Sequence, residues 1–366
     1  MFSKVMLGLT ALSVIGLVGC ASNSGVEQTA LKGEEKMSEW AFRYSAEEAH
    51  FTTAADSIRF ALEVPSGNYD VEIDSSASSV ISEHIDGIEA NAGIKKDGKS
   101  FKVAVCDGVL DLTFSEPAEV KSVKIKAEAE KKPNAKPSLF VIGDSTAKNT
   151  ANGACSWGNV VADGKVKLPE KFGSFSNNAM AGRDSVQYYN QARLETVLLA
   201  IAPGDYVTVN MGINSREAGE IPSYYTVMRD YYIKGIQQRG GKPVILLATP
   251  DGPYRDEAGN WTNWTSDFDF ETNKFKNNRG DGARNGELKK LAEEMGLPLI
   301  ATGQIGEDYM NALTMDDVEK YNKENGTAFT SVLEMVQSWY LDHNHYREPL
   351  GKIIAGYVLD ELVKLE

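Results

Sequence analysis

Cysteine and histidine are scarce in this 366-residue chain, with three of the former and four of the latter. Cys106 and Cys155 are the only cysteines beyond Cys20 and fall in different parts of the chain, which excludes a disulfide framework even in an oxidising compartment. Neither has a His or second Cys at metal-ligand spacing, so the sequence calls for no zinc, and no other metal or organic cofactor is expected. Positive charge is also short, leaving a formal net charge of -14. A nucleic-acid-binding protein wants a basic face, so that class is set aside. Long apolar runs are missing after the first stretch, and nothing downstream reads as a membrane span.

That first stretch has the regions of an export signal: Lys4, the apolar run Val5 to Val18, then Gly19-Cys20. It is short for a span. Leu17-Val18-Gly19-Cys20 resembles the bacterial lipoprotein signal, which implies that residues 1–20 form a signal region and that Cys20 carries lipid. An exported protein held at a membrane surface by that anchor is expected, with a plain secretory signal as the alternative. Residues 21–38, small, polar and charged, read as a tether.

From residue 39 to 128 the pattern is of short β-like segments: Ile58 to Val64, Tyr69 to Ile73, Phe101 to Val105, Val109 to Phe114 and Val120 to Ile125. This predicts a small antiparallel β-sandwich. Val64-Pro65-Ser66-Gly67-Asn68-Tyr69-Asp70-Val71 resembles the hairpin of galactose-binding-like sandwiches, many of which bind sugars; a purely structural sandwich fits equally. Residues 129–137 read as a stiff linker. From 138 to 366 strands alternate with helices. Strands are expected at Leu139 to Ile142, Ser174 to Asn177, Tyr206 to Asn210, Val244 to Ala248 and Leu299 to Ala301. Helices are expected at Ser185 to Ala200, around Tyr224 to Gln238, near Gly286 to Met295, and over the C-terminal stretch marked by Ile353 to Val363. The alternation predicts a doubly wound, five-stranded parallel sheet covered on both faces, an α/β three-layer fold.

Ser138-Leu139-Phe140-Val141-Ile142-Gly143-Asp144-Ser145-Thr146 presents Ser145 just beyond the carboxyl end of a buried strand, where open α/β sheets bind ligands. A bare Ser is a weak nucleophile and needs a base. His50 and His84 lie in the sandwich region, which leaves His343 and His345. Asp342 stands three residues before His345 and can orient its imidazole, whereas adjacent side chains diverge, so His345 is the candidate base. The same Asp342-His343-Asn344-His345 also suits a hydrated loop capping a helix. Donors for an oxyanion are offered after two further strands: the Asn214 amide in Met211-Gly212-Ile213-Asn214, and a backbone N–H at Gly182 in Asn177-Asn178-Ala179-Met180-Ala181-Gly182-Arg183.

Gly143-Asp144-Ser145, Gly182, Gly212-Ile213-Asn214 and Asp342-His343-Asn344-His345 resemble the four blocks of the SGNH/GDSL hydrolases, over Pro137 to Glu366. Trp157-Gly158, Asn178 to Arg183 and the Asp-His-Asn-His tail are similar to rhamnogalacturonan acetylesterases within that superfamily. The resemblance implies a Ser-His-Asp esterase on a flavodoxin-like sheet. Ser145 would be nucleophile, His345 base and Asp342 its orienter; the oxyanion hole would be Ser145 and Gly182 N–H with the Asn214 amide. It further implies acetylated plant cell-wall polysaccharide as substrate, and a monomer is expected. One departure is Ser215, where the family usually has Asp. A lipase or thioesterase of the same superfamily, or an inactive glycan-binding lipoprotein, are the alternatives.

Lys148, Arg183, Arg216 and Arg347 lie one to three positions from these motifs and suggest a local basic rim for galacturonate carboxylates; ordinary surface ion pairing would use the same residues. The loop Pro250 to Gly282 carries Tyr254, Trp261, Trp264, Phe268 and Phe270, which either stack on sugars or pin the loop.

Overall fold

The structure, a computed structural model, describes residues 42–44, 50–54, 57–85, 93–115, 119–215, 223–255, 261–262, 268–269, 271–276 and 282–366. The expected signal region, Cys20, the tether and Arg216 lie outside them.

Nine strands come first: β1 (Phe42–Tyr44), β2 (Phe51–Ala54), β3 (Ser57–Glu63), β4 (Gly67–Ser75), β5 (Val80–Ser82), β6 (Ile94–Lys96), β7 (Ser100–Val105), β8 (Val109–Ser115) and β9 (Val120–Ala127). They form two antiparallel sheets, ordered β1-β9-β4-β7 and β2-β3-β8-β5-β6. Alternate residues of both sheets, among them Phe60, Leu112, Val71 and Val123, bury into one shared cluster, as half-buried strands require. One expectation is corrected here. Pro65 to Asn68 is not a hairpin turn, because Glu63 pairs with Val109 in one sheet and Gly67 with Val105 in the other. The turn carries the chain between sheets, held by the Tyr69 hydroxyl donating to the Pro65 carbonyl at 2.6 Å.

The second part is built on β10 (Ser138–Gly143), β11 (Ser174–Asn177), β12 (Tyr206–Asn210) and β13 (Lys242–Leu246). Two short ladders follow, β14 (Tyr254–Arg255) with β15 (Trp261–Thr262) and β16 (Phe268–Asp269) with β17 (Lys274–Phe275), and then β18 (Leu299–Ile300). The parallel sheet runs β11-β10-β12-β13-β18, an order 2-1-3-4-5 that turns back at β10. The expected five-stranded parallel sheet is therefore present. Its inner strands β10, β12 and β13 are buried on both sides: in β10, Leu139 and Val141 enter one core cluster, Phe140 and Ile142 the other. β13 begins at Lys242 rather than Val244 because the Lys242 N–H already donates to Asp205 at 2.7 Å, and Pro243 has no N–H to be left unpaired.

Helices α1 (Trp157–Ala162), α2 (Ser185–Asn190), α3 (Arg193–Ala200), α4 (Tyr224–Val227) and α5 (Lys234–Gln238) come first, the last two joined through a π-helical turn at Met228–Ile233. They are followed by α6 (Asn285–Met295), α7 (Thr302–Ala312), α8 (Met315–Asn325), α9 (Val332–Ser338) and α10 (Glu348–Lys364). The helix expected over Ser185 to Ala200 is two helices, broken at Ala192 with φ 57°. The expected C-terminal stop of α6 is met by Gly296 at φ 62°. The loop expected from Pro250 to Gly282 holds the two short ladders, and Phe268 is buried edge-on against Phe275. Phe268 thus pins the loop; Trp264 and Phe270 lie outside the described residues. No helix among the described residues is long and apolar enough to cross a membrane.

Candidate active site

The turn after β10 is shaped by close packing. A Cβ on Gly143 would lie 2.9 Å from the Ala147 Cβ and 3.2 Å from the Asn210 carbonyl, so only glycine lets the chain leave the strand there. Asp144 is fully buried, and one of its carboxylate oxygens accepts from the Thr146 N–H and hydroxyl, both at 2.9 Å. Its carbonyl accepts from Ala147 and Lys148 N–H, winding residues 144–148 into a helical turn. Ser156 donates to the Ser145 carbonyl, and the buried Tyr346 hydroxyl donates to the Thr146 carbonyl at 2.5 Å. Ser145, only 5% exposed, is consequently held from three sides.

His345 arrives from the far end of the chain. A bridge between Tyr340 and Tyr346, with Leu341 N–H donating to the His345 carbonyl at 2.8 Å, closes residues 341–345 into a tight loop. Gly252 N–H donates to the His343 carbonyl at 2.7 Å, and a Cβ on Gly252 would strike the Tyr340 ring at 2.4 Å. These contacts aim the imidazole: Nε2 lies 2.8 Å from Ser145 Oγ and Nδ1 2.7 Å from Asp342 Oδ2. With the proton on Nδ1, Nε2 is free to accept from the Ser145 hydroxyl. The other Asp342 oxygen accepts from the backbone N–H groups of Asn344 and His345 at 3.0 and 2.8 Å. Burial opposes the charge on Asp342, but the His345 ring and those two N–H groups outweigh it and hold its pKa down at about 2. The bond to Asp342 lifts His345 above its ordinary 6.5 against the pull of burial, and the Asp144 charge adds to the lift. His343 contributes its backbone and is not part of this chain of bonds. The arrangement can pass a proton from a hydroxyl to an imidazole whose positive charge is then balanced by a carboxylate.

Gly182 has φ 71°, the left-handed region, with open space where a Cβ would stand. Its block is sewn to the β10 end, since Met180 N–H donates to the Gly143 carbonyl at 2.8 Å and Asn178 N–H to Val141 at 2.9 Å. Asn177 reaches the Ala147 carbonyl at 2.9 Å, and Gly158 leaves room for that contact, because a Cβ there would meet both atoms at 2.4 Å. Asn214 donates its side-chain amide to the Arg183 carbonyl at 3.3 Å. The turns carrying Gly182 and Asn214 are therefore in contact beside the β10 exit.

Of two residues that hold this part together, Ser215 stood out in the sequence as a departure from the family pattern and Arg284 gave no signal. The Ser215 hydroxyl, in a residue 8% exposed, donates to the Met211 carbonyl at 2.9 Å and accepts from Ser185 N–H at 3.3 Å, tying the Asn214 turn to the first turn of α2. The brace is thus a Ser at the position where the resembled family usually has Asp. Arg284 donates from Nε to the Ser215 carbonyl at 3.3 Å, pairs with Glu287 at 2.8 Å and covers the Tyr224 ring. Ala283 and Arg284 both have positive φ, and the Ala283 carbonyl lies 2.0 Å from where a Gly212 Cβ would stand. Tyr346 and Ser156 were missed as well, although each adjoins a motif residue.

The expected basic rim is only partly formed by the described residues. Lys148 Nζ lies 3.3 Å from the Asn177 carbonyl, and Arg183 Nε donates to Gln191 at 3.0 Å. Arg347 sits at the N-cap of α10, one guanidinium nitrogen 3.2 Å from the place a Gly153 Cβ would take. The two remaining cysteines, Cys106 and Cys155, are buried free thiols; burial pushes Cys106 up to about 12, far from a nucleophile's range.

Among curated proteins the chain is similar to two from Bacillus subtilis (strain 168). One, the uncharacterized esterase YxiM, is 26% identical over 210 residues, covering 54% of this chain and 53% of the relative. The other, named "Probable rhamnogalacturonan acetylesterase YesY", is 30% identical over 138 residues, covering 36% of this chain and 61% of the relative. The chain thus spans between half and two thirds of the length of these relatives. Among solved structures, that of the Bacillus subtilis YxiM protein covers 88% of this chain and 87% of its own, at 20% identity and a TM-score of 0.46. No family model matches. The resemblance of the motif blocks to SGNH/GDSL hydrolases is thus matched by relatives that carry esterase names.

Proposed function

We propose that this chain is a serine esterase that removes acetyl groups from pectic polysaccharide through Ser145, His345 and Asp342. The observation that carries the reading is the unbroken pair of bonds, 2.8 Å from Ser145 to His345 and 2.7 Å from His345 to Asp342. Ser145 Oγ attacks the acetyl carbonyl as His345 Nε2 takes its proton. The tetrahedral oxyanion is met by the N–H groups of Ser145 and Gly182 and by the Asn214 amide, which exchanges its bond to the Arg183 carbonyl for one to the oxyanion. His345 returns the proton to the leaving sugar oxygen, and the acetyl stays on Ser145. Water, deprotonated by His345, then attacks that acetyl group; the bond to Ser145 Oγ breaks, His345 returns the proton to Oγ, and acetate leaves.

The polysaccharide assignment leans on the sequence resemblance and on the name of the second curated relative. The N-terminal sheets are read with it as a galactose-binding-like sandwich, and Cys20 as a lipid anchor that keeps an exported enzyme at a membrane. The test is acetate release from acetylated rhamnogalacturonan and acetylated xylan by the wild type and Ser145→Ala. Faster release from rhamnogalacturonan, lost in the variant, is the expected result. Equal rates on both polymers remove the pectic assignment, and release that survives in Ser145→Ala removes the mechanism.

A further inference from the structure

Beside the oxyanion loop, two guanidinium groups converge on one neutral atom. Arg183 Nε and Arg193 Nε donate to the same Gln191 Oε1, at 3.0 and 3.1 Å. Neither arginine has a carboxylate within ion-pair distance among the described residues, although the chain carries 52 acidic side chains against 38 Lys and Arg. Both are only partly exposed, so water screens their mutual repulsion incompletely. An amide oxygen carries no net charge and cannot offset two cations.

The backbone is bent to make this arrangement. The residues from Ser185 to Ala200 form two helices rather than one because Ala192 adopts φ 57°, a conformation that a residue with a Cβ resists. That break separates Gln191, at the end of α2, from Arg193, at the start of α3. It brings them to a common point with Arg183. Backbone strain of this kind recurs at ligand sites, and here it stands beside two cations. Arg183 follows Gly182 directly, and its carbonyl holds the Asn214 amide at 3.3 Å, so the cluster borders the place where an ester carbonyl would be held.

We infer that Arg183, Gln191 and Arg193 form a carboxylate subsite that takes a uronate group of the acetylated polysaccharide. Each arginine commits Nε to Gln191 and Arg183 also reaches the Gly182 carbonyl from Nη1 at 3.5 Å, whereas among the described residues no partner meets either Nη of Arg193, the planar fork that suits a carboxylate. The inference rests on the esterase reading for the place of the sugar, and adds Gln191 and Arg193, which no motif marked.

The experiment pairs removal of charge from the protein with its removal from the ligand. kcat/KM is measured for acetylated galacturonate oligomers as free acids and as methyl esters, with wild type, Arg193→Gln and Arg193→Lys. The wild type should prefer the acid form. That preference should fall about tenfold or more in Arg193→Gln and only partly in Arg193→Lys, which keeps charge without the fork. An acid-to-ester preference that is the same in wild type and Arg193→Gln overturns the subsite. Calorimetric binding of unacetylated galacturonate trimer to Ser145→Ala, with and without Arg193→Gln, separates this from the chemistry. Binding lost with Arg193→Gln while the wild type hydrolyses no ester leaves the subsite standing and the esterase reading fallen. Hydrolysis with trimer binding indifferent to Arg193 does the opposite. Thermal unfolding of each variant identifies any that is misfolded, and Gln191→Met, which removes the shared acceptor, then serves in its place with the same expected fall.

Discussion

Replacing Ser215 by Ala removes one oxygen and two hydrogen bonds, and both partners are main-chain groups in the interior. The Met211 carbonyl loses a donor at 2.9 Å and Ser185 N–H an acceptor at 3.3 Å. A neutral hydrogen bond contributes about 1 kcal/mol net, and a buried partner left without one adds to the loss, so about 1–2 kcal/mol of stability should go. In a unit of this size that is a fall in Tm of a few degrees. Catalysis should suffer more than folding. Asn214 stands next to Ser215, and its turn is anchored by that hydroxyl, by the Arg183 carbonyl and by Arg284. Losing one oxyanion donor outright costs about 10²–10³ in kcat, so loosening it should cost about tenfold, with KM little changed. Ser215→Thr keeps the hydroxyl and should recover most of the rate. Ser215→Asp should not, although Asp is the usual residue in the resembled family. A carboxylate can accept from Ser185 N–H but has no proton for the Met211 carbonyl and would face it with like partial charge. Steady-state kinetics on p-nitrophenyl acetate decide the matter. If Ser215→Ala keeps kcat within twofold while Asn214→Ala falls a hundredfold, the hydroxyl is no brace and the reasoning fails.

Further outcomes follow from the same geometry. Because His345 must be neutral to accept a proton and its pKa is raised above 6.5, kcat/KM should climb with pH through a midpoint above that value and then level off. Asp342→Asn should move the midpoint down and lower kcat by up to about 10⁴, since the imidazole loses both its charge partner and its tautomer control; an unmoved midpoint would detach Asp342 from His345. Asp342 is held at about 2 when folded, so its contribution to stability is present above its ordinary 3.8 and fades as pH falls towards 2. With the side chain 33% exposed, that contribution is roughly 1 kcal/mol after screening, readable as acid unfolding that shifts in Asp342→Asn. Gly182→Ala meets no neighbour, yet must hold φ 71°, so about 1–2 kcal/mol of strain should turn the N–H away and lower kcat with little change in overall fold. Gly212→Ala should be worse, placing its methyl 2.0 Å from the Ala283 carbonyl, and should show in Tm as well as kcat.

The parallel sheet was legible because its inner strands are short, mainly apolar runs set off by Gly and Pro, and burial on both faces demands that composition. Ser145 and the Asp342–His345 loop were legible because so few histidines exist and, of the two beyond residue 137, only His345 has a carboxylate three residues away. The break at Ala192 was not, since Ala is the strongest helix former and nothing local signals a left-handed residue there; tertiary packing overrode propensity. Helices α7 and α8 were missed because polar and small residues dilute the apolar stripe, α8 burying little besides Val318, and α9 because its 7 residues are too few to show a helical period. The Pro65 to Asn68 turn has the composition of a hairpin, and composition cannot tell whether the next strand pairs with its predecessor or crosses to another sheet. Arg284 and Ser215 act through backbone carbonyls, which leave no pattern in side-chain spacing.

The relation between the two halves of the chain bears on what the N-terminal sheets can do. A stiff linker at residues 129–137 suggests a module set apart from the catalytic part, but side chains join the two closely. Arg239, between α5 and β13, donates to Asn68 at 2.7 Å and to the Gly67 and Val105 carbonyls at 2.9 and 3.2 Å. Lys96 on β6 pairs with Glu195 on α3 at 2.5 Å, both nearly out of solvent, and burial pushes the Glu195 carboxyl up despite the lysine. Removing one member of such a pair leaves a buried charge and costs about 3–5 kcal/mol, more than a passing contact between modules would risk. Ile85, Ile94, Ala104 and Cys106 join the same apolar cluster as α2, α3 and α5. The sheets therefore back the very helices whose break at Ala192 gathers Arg183, Gln191 and Arg193. A sugar held on those sheets would be kept at a fixed distance from Ser145 rather than at the end of a flexible leash. Any gain in rate on polymer would then depend on whether the chain of sugars can span that distance, not on an effective concentration set by linker length.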